Sequence, residues 1–131
     1  MTTVEYQLRA HEFVEIMQYG NPVIVEESSH HKHFKTVNVK NKCDWVYPAL
    51  GLSEEAGEVC GKFAKIIRDK DGELTDFDKQ EISKELGDCL WMIAEICTIL
   101  GLKLHEVMEQ NIIKLESRKQ RNVLSGSGDN R

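Results

Sequence analysis

Leu50-Gly51-Leu52-Ser53-Glu54-Glu55-Ala56-Gly57-Glu58-Val59 and, further along, Glu85-Leu86-Gly87-Asp88-Cys89-Leu90-Trp91 are the segments whose reading decides the fold. Leu52, Ala56, Val59, Phe63 and Ile66 mark an apolar stripe at helical spacing through the first, and Ile82, Leu86, Cys89, Ile93, Ile96 and Leu100 mark another through the second. This period predicts a pair of amphipathic helices. Between them stands Asp71-Gly72, a turn signal in a charged stretch poor in apolar residues. Glu58 and Glu85 are equally far from that dipeptide, and so are Glu55 and Asp88. A chain reversal there gives antiparallel helices of equal length with the acids level across the pair.

Each acid pair, Glu55/Glu58 and Glu85/Asp88, is spaced i, i+3 and so projects from neighbouring positions on one helix face. At about 100° per residue, both pairs fall roughly 60° and 120° to the same side of their apolar stripes. Equal offsets mirror each other in an antiparallel pair, so the acids either converge on one groove or diverge symmetrically. Convergent carboxylates repel and raise one another's pKa values unless a cation neutralises them. Oxygen-only ligands suit magnesium or manganese. One such pair reads readily as solvated acids on a Glu-rich helix, whereas mirrored pairs argue for a metal. Glu54 points nearly away from the stripe and is left out of the ligand set.

The same residues resemble the paired E-E-x-x-E and E-x-x-D motif of MazG-like nucleotide pyrophosphohydrolases, and the likeness extends over residues 45–131. It implies an all-α fold, a bundle of four to five helices around the antiparallel central pair. The implied activity is magnesium-dependent hydrolysis of ribo- or deoxyribonucleoside triphosphates to the monophosphate and pyrophosphate. Manganese is a substitute for magnesium. Glu55, Glu58, Glu85 and Asp88 would be the metal ligands, and Glu55 or Glu58 the group that takes the proton of the attacking water. Asn111-Ile112-Ile113-Lys114-Leu115-Glu116-Ser117-Arg118 and the tail Gly126–Arg131 also look like the C-terminal pattern of a MazG-like subfamily. Ser53-Glu54 before Glu55, and Lys103 where a capping Ser or Thr is expected, depart from the usual pattern and leave the preferred base open. A phosphoribosyl-ATP pyrophosphohydrolase would share the chemistry, and a non-catalytic helical module would use the acids for metal or partner contacts alone.

At 131 residues the chain is expected to be one domain with a single core. Residues 1–43 form an N-terminal helix and connection, residues 44–122 the catalytic helices and residues 123–131 a tail. A net charge of −5 argues against nonspecific nucleic-acid binding. The start, Met1–Tyr6, lacks a signal peptide's basic and apolar regions, and no run is long enough to span a membrane, so a cytoplasmic location is expected. Cys43, Cys60, Cys89 and Cys97 show no C-x-x-C spacing and read as reduced core thiols.

A first helix is expected from Thr3 to about Tyr19, ended by Gly20-Asn21-Pro22. Pro22 to Lys42 reads as a long connection, in which His30, His31 and His33 are more simply solvated than metal-binding. Asp44 could cap a helix from Trp45 to about Lys70. Gly51, Gly57 and Gly61 inside it each cost about 1 kcal/mol relative to Ala, which points to close helix approach, room for a ligand or a kink. Thr75–Asp78 fits a capping box with Asp in place of Glu, and the helix it starts is stopped by Gly101.

On the last helix, Leu104 to about Asn122, the residues Asn111, Lys114, Arg118 and Arg121 form one polar stripe able to grip phosphates. The candidate substrate-binding residues are these four, Lys65, and Trp45, which stands about three turns before Glu55 and suits stacking on a base. Trp91 reads as helix packing. Apolar faces that include Ile99, Leu100, Leu102 and Leu104 invite cover by another copy, and the resemblance implies a homodimer or homotetramer, in which the stripe of one chain would face the acids of another.

Overall fold

The computed structural model describes residues 1–13, 26–28, 31–33, 46–125 and 128. In order along the chain they form α1 (Thr3–Glu12), a hairpin of β1 (Glu26–Ser28) and β2 (His31–His33), α2 (Val46–Lys70), α3 (Asp76–Ile99) and α4 (Leu104–Gln120). The architecture is all-α with this small antiparallel hairpin added, Glu26 opposite His33 and Ser28 opposite His31. The hairpin lies in the stretch read from sequence as a long connection; its short polar strands carry no apolar alternation to announce them. No helix among the described residues is long and apolar enough to cross a membrane.

The central pair forms as its pattern dictates. Pro48 sits in the first turn of α2, where its missing N–H removes no helical hydrogen bond. The chain leaves α2 through Asp71 and Gly72, both at positive φ (52° and 81°), a conformation that Gly adopts freely and Asp tolerates. Thr75 then caps α3: its Oγ1 accepts from Asp78 N at 3.3 Å, while Asp78 Oδ2 accepts from Thr75 N at 3.0 Å. Lys70 Nζ donates to both oxygens of the same carboxylate at 2.7 and 2.8 Å, clamping the end of α2 to the start of α3. This ion pair, followed by the Thr75 hydrogen bonds, holds the Asp78 carboxyl down at about 2. Leu100 and Gly101 (φ 68°) close α3, with Leu102 N donating to Cys97 O and Gly101 N to Thr98 O, a Schellman arrangement.

Two contacts fix the register of α2 on α3. Lys62 Nζ lies 3.3 Å from Glu81 Oε2, and a Cβ placed on Gly51 would fall 2.8 Å from Met92 Sδ. Lys62 and Glu81 are equidistant from the Asp71-Gly72 turn, as are Gly51 and Met92. That is the register required to set Glu58 level with Glu85 and Glu55 level with Asp88. Gly51 therefore serves close helix approach, whereas a Cβ on Gly57 or Gly61 would meet nothing within 4 Å.

The core lies where α1 meets α3 and α4: Ala10, Ala94, Cys97 and Leu104 are buried, with Tyr6, Trp91 and Ile93 packed against them. Gln7, fully buried, joins the three helices. Its Nε2 donates to Leu102 O at 2.8 Å and to Thr98 Oγ1 at 3.3 Å, and its Oε1 accepts from Leu104 N at 2.9 Å. Lys103 gives α4 no side-chain cap, so the cap missing from the local sequence comes from α1. Beside it, His11 Nδ1 stands 3.0 Å from the buried Glu95 Oε2, a contact that needs the proton on Nδ1 because a carboxylate only accepts.

Several expectations are corrected. The described first helix ends at Glu12 with Phe13 as its C-cap, short of Tyr19; Gly20-Asn21-Pro22, Asp44, Trp45, Cys43 and His30 lie outside the described residues. Cys60 is exposed and Cys89 half-buried, so Cys97 alone of the described thiols is a core residue. Leu104 belongs to the core, whereas Leu100 and Leu102 remain 57% and 45% exposed.

Candidate metal centre

Glu55, Glu58 and Glu85 each offer a carboxylate oxygen within 4.8 Å of the others. The convergent arrangement is thus the one adopted, with Glu55 and Glu85 half-buried and Glu58 exposed. Burial, then the charges of Asp88, Glu58, Glu54 and Glu85, push the Glu55 carboxyl above its usual range. Asp88 comes first among those charges because it stands level with Glu55. It lies outside the close trio, and its shorter side chain ends one methylene nearer the backbone than a glutamate's. Glu54 also lies outside the trio, as its helical phase requires.

Lys62 is the residue that the sequence pattern did not single out. Its Nζ lies 3.1 Å from Glu85 Oε1 as well as 3.3 Å from Glu81, and these carboxylates, Glu85 foremost, raise its pKa. The signal was available: Lys62 follows Glu58 by one helical turn on the face turned to α3, and Glu81 precedes Glu85 by one turn. Lys65 lines a groove of about 250 Å³ with Asp69 and Phe77 that runs from Lys62 and Glu81 toward the turn.

The polar stripe of α4 is not gathered at the acids. α4 packs on α1, whereas α2 packs on α3. Asn111 and Lys114 line an open groove of about 750 Å³ that also carries Glu106 and Glu109. Arg118 is buried, with Nη2 donating to Gly128 O at 3.2 Å, which turns it toward the tail. Arg121 is the exposed C-cap of α4. Trp91 packs in the core and donates from Nε1 to Ala10 O at 3.2 Å. It also lines a cavity of about 580 Å³ between α1 and α3, next to Asp88.

The antiparallel helix pair presents three clustered carboxylates from its facing turns, an oxygen-only donor set of the kind that could hold a metal ion. Residues 48–123 match the MazG nucleotide pyrophosphohydrolase domain, and the chain belongs to that family, whose members are nucleotide pyrophosphohydrolases. It is also 46% identical over 85 residues to the Gene 37 protein of Mycobacterium phage L5, covering 65% of this chain and 75% of that protein. No solved structure matches the chain.

Proposed function

We propose that the chain hydrolyses ribo- or deoxyribonucleoside triphosphates to the monophosphate and pyrophosphate with magnesium held by Glu55, Glu58 and Glu85, assisted by Asp88. The convergence of the three glutamates within 4.8 Å carries this reading. The residues fit the ion: all donors are carboxylate oxygens, and the single ammonium of Lys62 beside Glu85 sets one positive charge against three carboxylates. When bound, magnesium supplies charge neutralisation of the triphosphate and of the pyrophosphate leaving group.

The chain's own groups do the rest. Water adds through oxygen to the α-phosphorus, the bond from that phosphorus to the α,β-bridging oxygen breaks, and the electron pair leaves with pyrophosphate. Glu55 or Glu58, both carboxylates of the cluster, takes the water's proton. Lys62, paired with Glu85 across the groove, supplies a cation beside the departing phosphates. Incubation with a panel of nucleoside triphosphates and magnesium, resolving pyrophosphate from orthophosphate, tests the reading. Equimolar monophosphate and pyrophosphate are expected, and release of orthophosphate alone would overturn the bond assignment.

Self-association belongs to the same proposal. Phe63, Leu86, Leu90, Ile112 and Ile113 are each 46% to 56% exposed, and covering one such side chain fully is worth about 1.5–3 kcal/mol. A second copy covering these faces brings Lys114 of one chain to the acids of its partner. Mixing inactive Asp88→Asn chains with inactive Lys114→Ala chains then restores part of the activity. A fully active monomer in sedimentation would rule this arrangement out.

A further inference from the structure

We infer that the cavity between α1 and α3 is the nucleoside pocket, in which the base of the substrate lies among Tyr6, Phe13 and Trp91 with Arg9 at its polar edge. This rests on the hydrolysis proposed above and extends it to how the substrate's non-phosphate end is held. The cavity is about 580 Å³ and also has Gly87 and Asp88 in its lining, a size within the range of small-molecule sites.

Asp88 supplies the continuity. It stands level with Glu55 and is the first charge acting on it, yet it also lines the cavity. A ligand with its phosphates at the acid cluster therefore has its other end at the cavity mouth. Three aromatic rings suit the faces of a planar heterocycle, whichever base it is. Trp91 is held in place by the hydrogen bond from Nε1 to Ala10 O at 3.2 Å, so its ring offers a fixed apolar surface and no further donor. Phe13 is 55% exposed, an apolar cost that a seated base would relieve. Arg9 makes no hydrogen bond or ion pair among the described residues; a guanidinium at the rim of an apolar cavity can donate to base acceptors or lie over a ring.

The α1 wall of this pocket lies outside residues 48–123, the part of the chain that matches the family. The metal cluster thus comes from the shared domain, while half of the nucleoside site comes from the N-terminal helix. A Cβ on Gly87 would meet nothing within 4 Å, so a side chain has room to start there, and Gly87→Leu adds apolar bulk to the cavity lining.

The test follows the indole N–H signal of Trp91 by NMR in the full chain, assigned with a Trp45→Phe variant, while nucleoside 5′-monophosphates are titrated in without metal. At least one monophosphate is expected to shift the signal saturably. Gly87→Leu and Phe13→Ala are each expected to weaken that binding at least ten-fold, with helical circular dichroism unchanged. With magnesium, the same variants should raise KM for triphosphates by a similar factor and change kcat less. A Trp91 signal that no monophosphate moves, in a protein that releases pyrophosphate normally, would overturn the pocket while sparing the hydrolysis. Saturable shifts in a protein that releases no pyrophosphate would uphold the pocket and reject the hydrolysis. Unchanged affinity in folded Phe13→Ala and Gly87→Leu would also overturn it.

Discussion

Gln7→Ala removes the side chain that ties α1 to the start of α4. Leu104 N loses its 2.9 Å acceptor, and because Leu104 is only 5% exposed, water has poor access to that donor. An unmet buried N–H costs about 1–3 kcal/mol. Leu102 O loses its 2.8 Å donor but sits on a residue that is 45% exposed, so water replaces most of that bond. Thr98 keeps its 2.9 Å bond to Ala94 O and adds little. The space left by a fully buried side chain contributes roughly another 1 kcal/mol. The total is about 3 kcal/mol, a large share of the roughly 5–15 kcal/mol of an ordinary domain. In melting temperature this is about 10 °C. Urea unfolding followed by circular dichroism, at one fixed protein concentration, measures it; the slope should not change. Gln7→Glu should not rescue, because an oxygen would replace the Nε2 that faces Leu102 O. A loss below about 1 kcal/mol for Gln7→Ala would refute the claim that this side chain caps α4.

The other predictions concern charge. The Asp78 carboxyl is held at about 2 by Lys70 and then Thr75, below the roughly 3.9 of an unfolded Asp. Its folded form therefore binds the proton less readily, and its stabilisation is complete above about pH 4 and vanishes as pH falls through about 2. Asp78→Asn should accordingly be less stable than the parent at neutral pH, the gap closing in acid-unfolding curves as that window is crossed. Lys62→Met should bind manganese several-fold more tightly, since Lys62 no longer competes for Glu85, yet show a raised KM for triphosphate; equal affinity in a titration would remove Lys62 from the site. Glu58→Gln should abolish turnover with the fold intact, while Glu54→Gln retains most of it. Equal damage from both would mean that the helical phasing of the acids is wrong.

The central pair was legible because its signals are local and agree: apolar period, Asp71-Gly72, the Thr75 capping box and the mirrored acids all point to one register. The Lys62–Glu81 and Gly51–Met92 contacts adopt that register. What escaped the sequence depends on pairings between distant segments. Gln7 looks like an ordinary polar residue on a short helix, and nothing near it announces a partner at Leu104 N. Lys62 lies in the right phase but reads as surface charge until α3 is placed opposite. Arg118 fits a basic stripe by spacing, yet it is buried and bonded to Gly128 O, a contact with the tail that periodicity cannot reveal.

The most direct test of the metal centre is manganese binding, read by electron paramagnetic resonance of the free ion, in the parent protein and in Glu55→Gln, Glu58→Gln, Glu85→Gln and Glu54→Gln. The account predicts saturable binding in the parent, at least ten-fold weaker binding in each of the first three variants, and parent-like binding in Glu54→Gln. Parent-like binding in all four variants, or none in the parent, would contradict it.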